Sequence, residues 1–115
     1  MLSDREATRR WLSDIHHNIA LAERFMAGVA YDAFKDDTLR LYAVTRCLEI
    51  ISEASRRLPD ELKARHPSIA WKRMAGAGSV YRHDYEDVAA ALVWVVLQDH
   101  LPPLRRVVEQ ELARV

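Results

Sequence analysis

Apolar residues recur every three or four positions along most of the chain, a rhythm that predicts helices rather than strands. The first run carries Trp11, Ile15, Ile19, Leu21, Ala22, Phe25 and Met26 as one stripe. Ser3 followed by Glu6 is a capping-box start for it, and Gly28 is placed to end it after about six turns. Asp36-Asp37-Thr38 caps a second helix, where negative charge suits the positive end of the dipole. Leu41, Val44, Leu48, Ile51 and Leu58 form its buried stripe. Beside that stripe runs a row of Arg46, Glu49 and Glu53, which is expected to hold charge pairs within the helix, each worth about 0.3 kcal/mol. Pro59-Asp60-Glu61 opens a short helix with proline at its first position, and Pro67 stops it by His66. Pro67-Ser68 then begins a helix with Ile69, Trp71, Met74 and Ala75 on its apolar side, ending near His83.

Val88 to Leu97 departs from the rhythm, being apolar on every side, and a helix of that kind is buried on most faces. A buried strand is the competing reading. Three consecutive alanines and the lack of neighbouring strand patterns disfavour it. In a chain this short such burial calls for a partner, so a face of this helix or of the first is expected to pack on a second copy. Leu101-Pro-Pro-Leu104 interrupts the chain, and Leu104, Val107, Val108 and Leu112 form a last amphipathic helix. Its Arg105, Arg106, Glu109 and Glu111 are expected to face water. The fold class is thus all-α, an up-and-down bundle of four long helices plus one short helix, as one domain over residues 1–115.

Composition narrows the function. Half of the 115 residues are hydrophobic and 30% charged, and three Gly and four Pro are too few for an all-β fold. Net charge is zero, so the chain as a whole has no pull towards nucleic acid or anionic membrane. The distribution is uneven, however: Arg56, Arg57, Lys63, Arg65, Lys72, Arg73 and Arg82 face only Asp60 and Glu61 between positions 56 and 83. A solvated face and a phosphate-binding one are both open readings of that run. Cys47 is the one cysteine and sits within a helical pattern, which reads as a buried, inert thiol in a reducing compartment. The charged start Met-Leu-Ser-Asp-Arg-Glu lacks the apolar core of a signal peptide, and the ten residues Val88 to Leu97 are too short to span a bilayer. A cytoplasmic protein with no membrane partner is expected.

The basic run leads into Arg82-His83-Asp84-Tyr85, preceded by Gly76 and Gly78. Its plain reading is a polar turn closing a helix. Its chemical reading is a phosphate site: a histidine, with unperturbed pKa about 6.5, exchanges protons at neutral pH. An arginine fork matches two phosphate oxygens. Together they suit cleavage of RNA by its own 2′-hydroxyl without metal or other cofactor. His83, Asp84 and His100 show no metal-ligand spacing; His16 and His17 are adjacent and cannot easily share an ion. No nucleophile elbow and no phosphate loop are present.

The segments Arg46 to Leu58, Ile69-Ala-Trp-Lys-Arg-Met-Ala-Gly76, His83-Asp-Tyr85, Val93-Trp94 and Asp99-His-Leu-Pro-Pro-Leu104 together resemble the HepT-like branch of the HEPN superfamily. The resemblance implies a helical homodimer with its active site in a cleft between protomers. It implies the toxin of a two-component toxin–antitoxin system, a metal-independent ribonuclease. The implied partner is a minimal nucleotidyltransferase (MNT) antitoxin, which transfers AMP from ATP to the motif tyrosine. Carried over by position, the motif histidine is His83 and its tyrosine, the AMP acceptor that also shapes the site, is Tyr85. The motif arginine falls on Gly78, a departure from the pattern. Either Arg82, directly before the histidine, or an arginine of a dimer partner stands as its replacement at the phosphate, with Arg73 further up the helix; Asp84 adjoins them. Glu53 matches a glutamate of the family's second helix, placed either to orient His83 or Arg82 or simply to pair with Arg57. Two functions follow: a working RNA endonuclease using His83 and Arg82, or an inactive HEPN module that binds nucleotide, RNA or an MNT partner.

Overall fold

In a computed structural model of the protein, residues 2–77 and 86–115 are described, the side chains of residues 86–88 excepted. Arg82, His83, Asp84, Tyr85 and Gly78 lie outside them. The described residues form helices and no strand, as the apolar periodicity predicts. They comprise α1 (Asp4–Met26), α2 (Tyr31–Phe34), α3 (Thr38–Arg57), α4 (Asp60–Ala64), α5 (Trp71–Gly76), α6 (Glu86–Val95) and α7 (Leu101–Arg114). A π-helical turn, Val96–His100, joins the last two.

Ser3 caps α1 by accepting from the Glu6 amide at 3.1 Å, and its hydroxyl donates to the Glu6 carboxylate. Gly28, at φ +73°, takes the left-handed conformation that lets the chain leave α1, a conformation a side chain would strain. Asp37 caps α3 through the Arg40 amide, and Arg40 reaches across to donate to the Phe25 carbonyl at 2.7 Å. At the opposite end the Arg57 guanidinium lies over the Trp11 ring. These two contacts fix α1 and α3 as antiparallel. The pairs Glu23–Arg105, His16–Glu109 and Arg9 with the Val115 carbonyl set α7 antiparallel to α1 in the same way.

Between these helices the expected stripes meet. Leu12, Ile15, Ile19 and Ala22 of α1 join Leu41, Val44, Leu48 and Ile51 of α3 and Leu104 and Val108 of α7 in one cluster. Trp94 closes its end, with the Tyr31 ring edge-on at 5.4 Å and Phe34 at 6.0 Å.

Four local expectations change. Pro59 is the N-cap of α4 rather than its first helical residue. The helix expected from Pro67 starts at Trp71, because residues 67–70 spend their hydrogen bonds in turns. Pro102 and Pro103 do not interrupt the last helix but sit in its first turn, where a missing N–H costs little. Glu111 does not face water: it is 1% exposed, its carboxylate bound by Arg65 Nη2 at 2.7 Å and His66 Nε2 at 2.6 Å. Arg65 offsets the charge and the two partners satisfy both carboxylate oxygens, without which the group could not be buried. Arg65 foremost holds the Glu111 carboxyl below the usual range, against burial, with His66 adding to it.

Val88 to Leu97 is helical, as expected over a strand, up to the π turn. Ala89, Ala90, Val93 and Val96 face the core, whereas Leu92 and Val95 remain 40% and 39% exposed.

Candidate functional site

The helix α5 leads directly into the segment that carries His83, and two side chains of α3 fix where α5 sits. Ser52, buried on the inner face of α3, donates its hydroxyl to the Met74 carbonyl at 2.8 Å. One turn further, Arg56 Nη1 donates to the Ala75 carbonyl. Met74 itself is buried in the core. The indole of Trp71 donates to the carbonyls of Lys63 and His66, so the start of α5 is bound to the end of α4. The approach to the motif segment is therefore held from both ends.

Glu53 stands at the centre of the adjoining polar face. One oxygen accepts from Arg56 Nη2 at 2.6 Å and the other from Arg57 Nε at 3.0 Å. The hydrogen bond from Arg56, then that from Arg57, holds its carboxyl below the usual glutamate range. Of the two roles open to Glu53, pairing with Arg57 one turn on is the one these contacts display. The group carries two positive charges against one negative. Arg46 is exposed.

Arg73 points elsewhere: its Nη1 lies 3.3 Å from His100 Nε2. A guanidinium can only donate, so His100 Nε2 is the acceptor in this contact. Arg73 and Glu53 are thus held in separate contacts. Cys47 is buried, and burial pushes its thiol pKa up, as expected of an inert cysteine. No group of three potential metal ligands occurs among the described residues. A surface cavity of about 720 Å³ lies by the start of α1 and the α3–α4 junction, lined by Arg5, Arg57 and Arg65 with Asp4, Asp60 and Glu61. Its charges alternate in sign and give no preference for a polyanion. Among the described residues no helix is long and apolar enough to cross a membrane.

Comparison with known proteins decides the family. The profile described as "Ribonuclease HepT-like" matches residues 15–111. This chain belongs to the HepT-like ribonuclease family. It is 33% identical over 101 residues to "Probable ribonuclease HepT" of Thermococcus cleftensis, covering 88% of this chain and 92% of that protein. It is 30% identical over 101 residues to "Putative RNase MJ1380" of Methanocaldococcus jannaschii, covering 88% and 93%. A third relative, "Putative RNase TTE0752" of Caldanaerobacter subterraneus, is 32% identical over 94 residues, covering 82% and 83%. No solved structure matches the chain. The HepT-like match spans the second half of α1, all of α2 to α6, and α7 as far as Glu111. It includes the buried Glu111 clamp, which a search for exposed catalytic polar residues passes over.

Proposed function

We propose that this HepT-like chain is a metal-independent endoribonuclease, the toxin of a toxin–antitoxin pair, with His83 as its acid/base. The observation that carries this reading is a ribonuclease family match over residues 15–111 that contains the chain's one His-x-Tyr sequence, His83-Asp84-Tyr85. In the reaction a ribose 2′-oxygen bonds to the adjacent phosphorus and gives up its proton. The bond from phosphorus to the next 5′-oxygen breaks, and that oxygen gains a proton. The products are a 2′,3′-cyclic phosphate and a free 5′-hydroxyl. His83 handles the proton exchange, an imidazole being matched to neutral pH. Arg82 offsets the charge building on the phosphoryl oxygens, Tyr85 shapes the site, and Asp84, Glu53 and Arg73 support it.

The reading carries partners with it. One HEPN-type domain over residues 1–115 pairs with a second copy, and the exposed apolar Leu92 and Val95 of α6 supply a face for that contact. An MNT antitoxin in the same cytoplasm neutralises the toxin by AMPylation: the Tyr85 phenolic oxygen takes the AMP group of ATP and pyrophosphate leaves. The added phosphate would place negative charge beside His83 and Arg82 and repel RNA.

Gly78, standing where the resemblance places an arginine, favours a second reading: an inactive HEPN module that binds nucleotide, RNA or the MNT partner. Induced expression of the wild type and of His83→Ala, each without a partner, separates the two. Growth arrest with RNA cleavage in the wild type alone is expected. Equal cleavage by both would remove His83 from the chemistry, and arrest in neither would leave the binding module.

A further inference from the structure

Cleavage at phosphorus builds negative charge on the phosphoryl oxygens, and a fixed cation there is worth far more than a mobile one. Position 78 supplies none, being glycine. Among the described residues, the guanidinium bound to the end of α5, just before that position, is Arg56. Its Nη1 donates to the Ala75 carbonyl and its Nη2 to Glu53. Position 78 lies three residues on from Ala75, a reach of no more than about 11 Å.

The local geometry suits a phosphate. Two hydrogen bonds, one from each side, fix the planar group before any ligand arrives, so little entropy remains to be lost on binding. The Arg56 side chain is nevertheless half open to solvent, at 51%. Two of its five N–H groups are used in these contacts, and among the described residues the other three are not engaged, enough to grip two phosphate oxygens. Glu53 does not cancel the charge, because it is shared with Arg57. Arg73, although on α5 itself, is turned to His100.

Resting on the ribonuclease reading above, we propose that Arg56, together with Arg82, holds the phosphate of the RNA substrate, supplying from α3 a guanidinium that glycine at position 78 does not.

The test uses the full chain carrying Arg56→Ala, Arg56→Lys or Arg56→Gln, with Arg106→Ala as an exposed charge control. Cleavage is measured on mixed-sequence RNA. Binding is measured with a labelled 2′-O-methyl oligoribonucleotide, which cannot be cut, over a range of salt. Arg56→Ala is expected to lower kcat/KM by about 100-fold. The slope of log K against log salt should fall by about 0.7, the value for one lost single-strand phosphate contact. Arg56→Lys should keep the slope and lose part of the rate. Arg56→Gln retains an amide donor for the Ala75 carbonyl, so a merely structural residue would be replaced by it; here it should behave like Ala. Gly78→Arg added to Arg56→Ala should recover cleavage. Unchanged rate and slope in Arg56→Ala would overturn the assignment, as would full recovery by Gln. Wild type that binds the oligonucleotide yet cuts nothing would remove the ribonuclease reading, and the salt slope alone would then decide Arg56. Wild type that neither binds nor cuts overturns both.

Discussion

Glu111→Ala tests the energetics of the fold most sharply. The substitution leaves Arg65 and the His66 ring packed around a vacated carboxylate site. Removing one partner of a buried ion pair costs ~3–5 kcal/mol, because the remaining charge is left without compensation. The Arg65 side chain is 34% exposed, so water recovers part of that loss and the lower figure, about 3 kcal/mol, applies. At about 4 °C per kcal/mol for a chain of this size, Tm should fall by about 12 °C. Glu111→Gln keeps the shape and an acceptor but loses the charge, and should fall about half as far. The sign of the pH dependence follows from the lowered carboxyl pKa of Glu111. Its stabilisation is complete above the ordinary value of 4.5 and is lost as pH falls through the lower folded value. Thermal unfolding followed by circular dichroism should therefore show the gap between wild type and Glu111→Gln closing as pH drops below 4.5. A drop under about 4 °C for Glu111→Ala at neutral pH would refute the reasoning. So would a gap that widens in acid.

Two further outcomes can be read quickly. Leu92→Glu with Val95→Glu places charge on the exposed apolar face of α6 and should convert a dimer to a monomer by light scattering while helix content is kept; a wild type that is already monomeric would remove the expected assembly. Cys47, buried and with its thiol pKa raised, should react with a disulfide reagent at least ~100-fold more slowly in the native protein than in denaturant. Fast native labelling would show that α3 opens.

Much of this architecture is legible in the sequence, for identifiable reasons. The long helices α1 and α3 announce themselves through local physics: a three-and-four apolar spacing, Ser3 and Asp37 as caps, Gly28 as a stop. Glu111 is harder because its polarity contradicts its place. It lies seven residues after Leu104 and three after Val108, squarely on the buried stripe of α7, but a charged side chain there reads as exposed until Arg65 and His66 arrive from a distant turn. The short helix α2 has too few residues to show a period. At the candidate site, the helix approaching the motif is visible in the pattern of Trp71 and Met74. The cross-helix bonds of Ser52 and Arg56 to backbone carbonyls of α5 are not, since a carbonyl leaves no mark on sequence. That is also why Glu53 has two open roles on paper and a definite pair of partners in space.

The π-helical turn at Val96–His100 sets the phase between two surfaces. A single residue turns an α-helix by about 100°, so one residue more or less in this turn would rotate everything after it by roughly that angle. The apolar side of α6 meets α2 through Trp94 and packs on α3, while α7 packs on α1 with Leu104 and Val108 in the shared core. Deleting one residue here would leave both helices intact as helices, yet swing Glu111 out of reach of Arg65 and His66 and Leu104 out of the core. The five residues thus behave as a gear between two correctly cut but separately aimed faces, and their number, more than their identity, is what the bundle depends on.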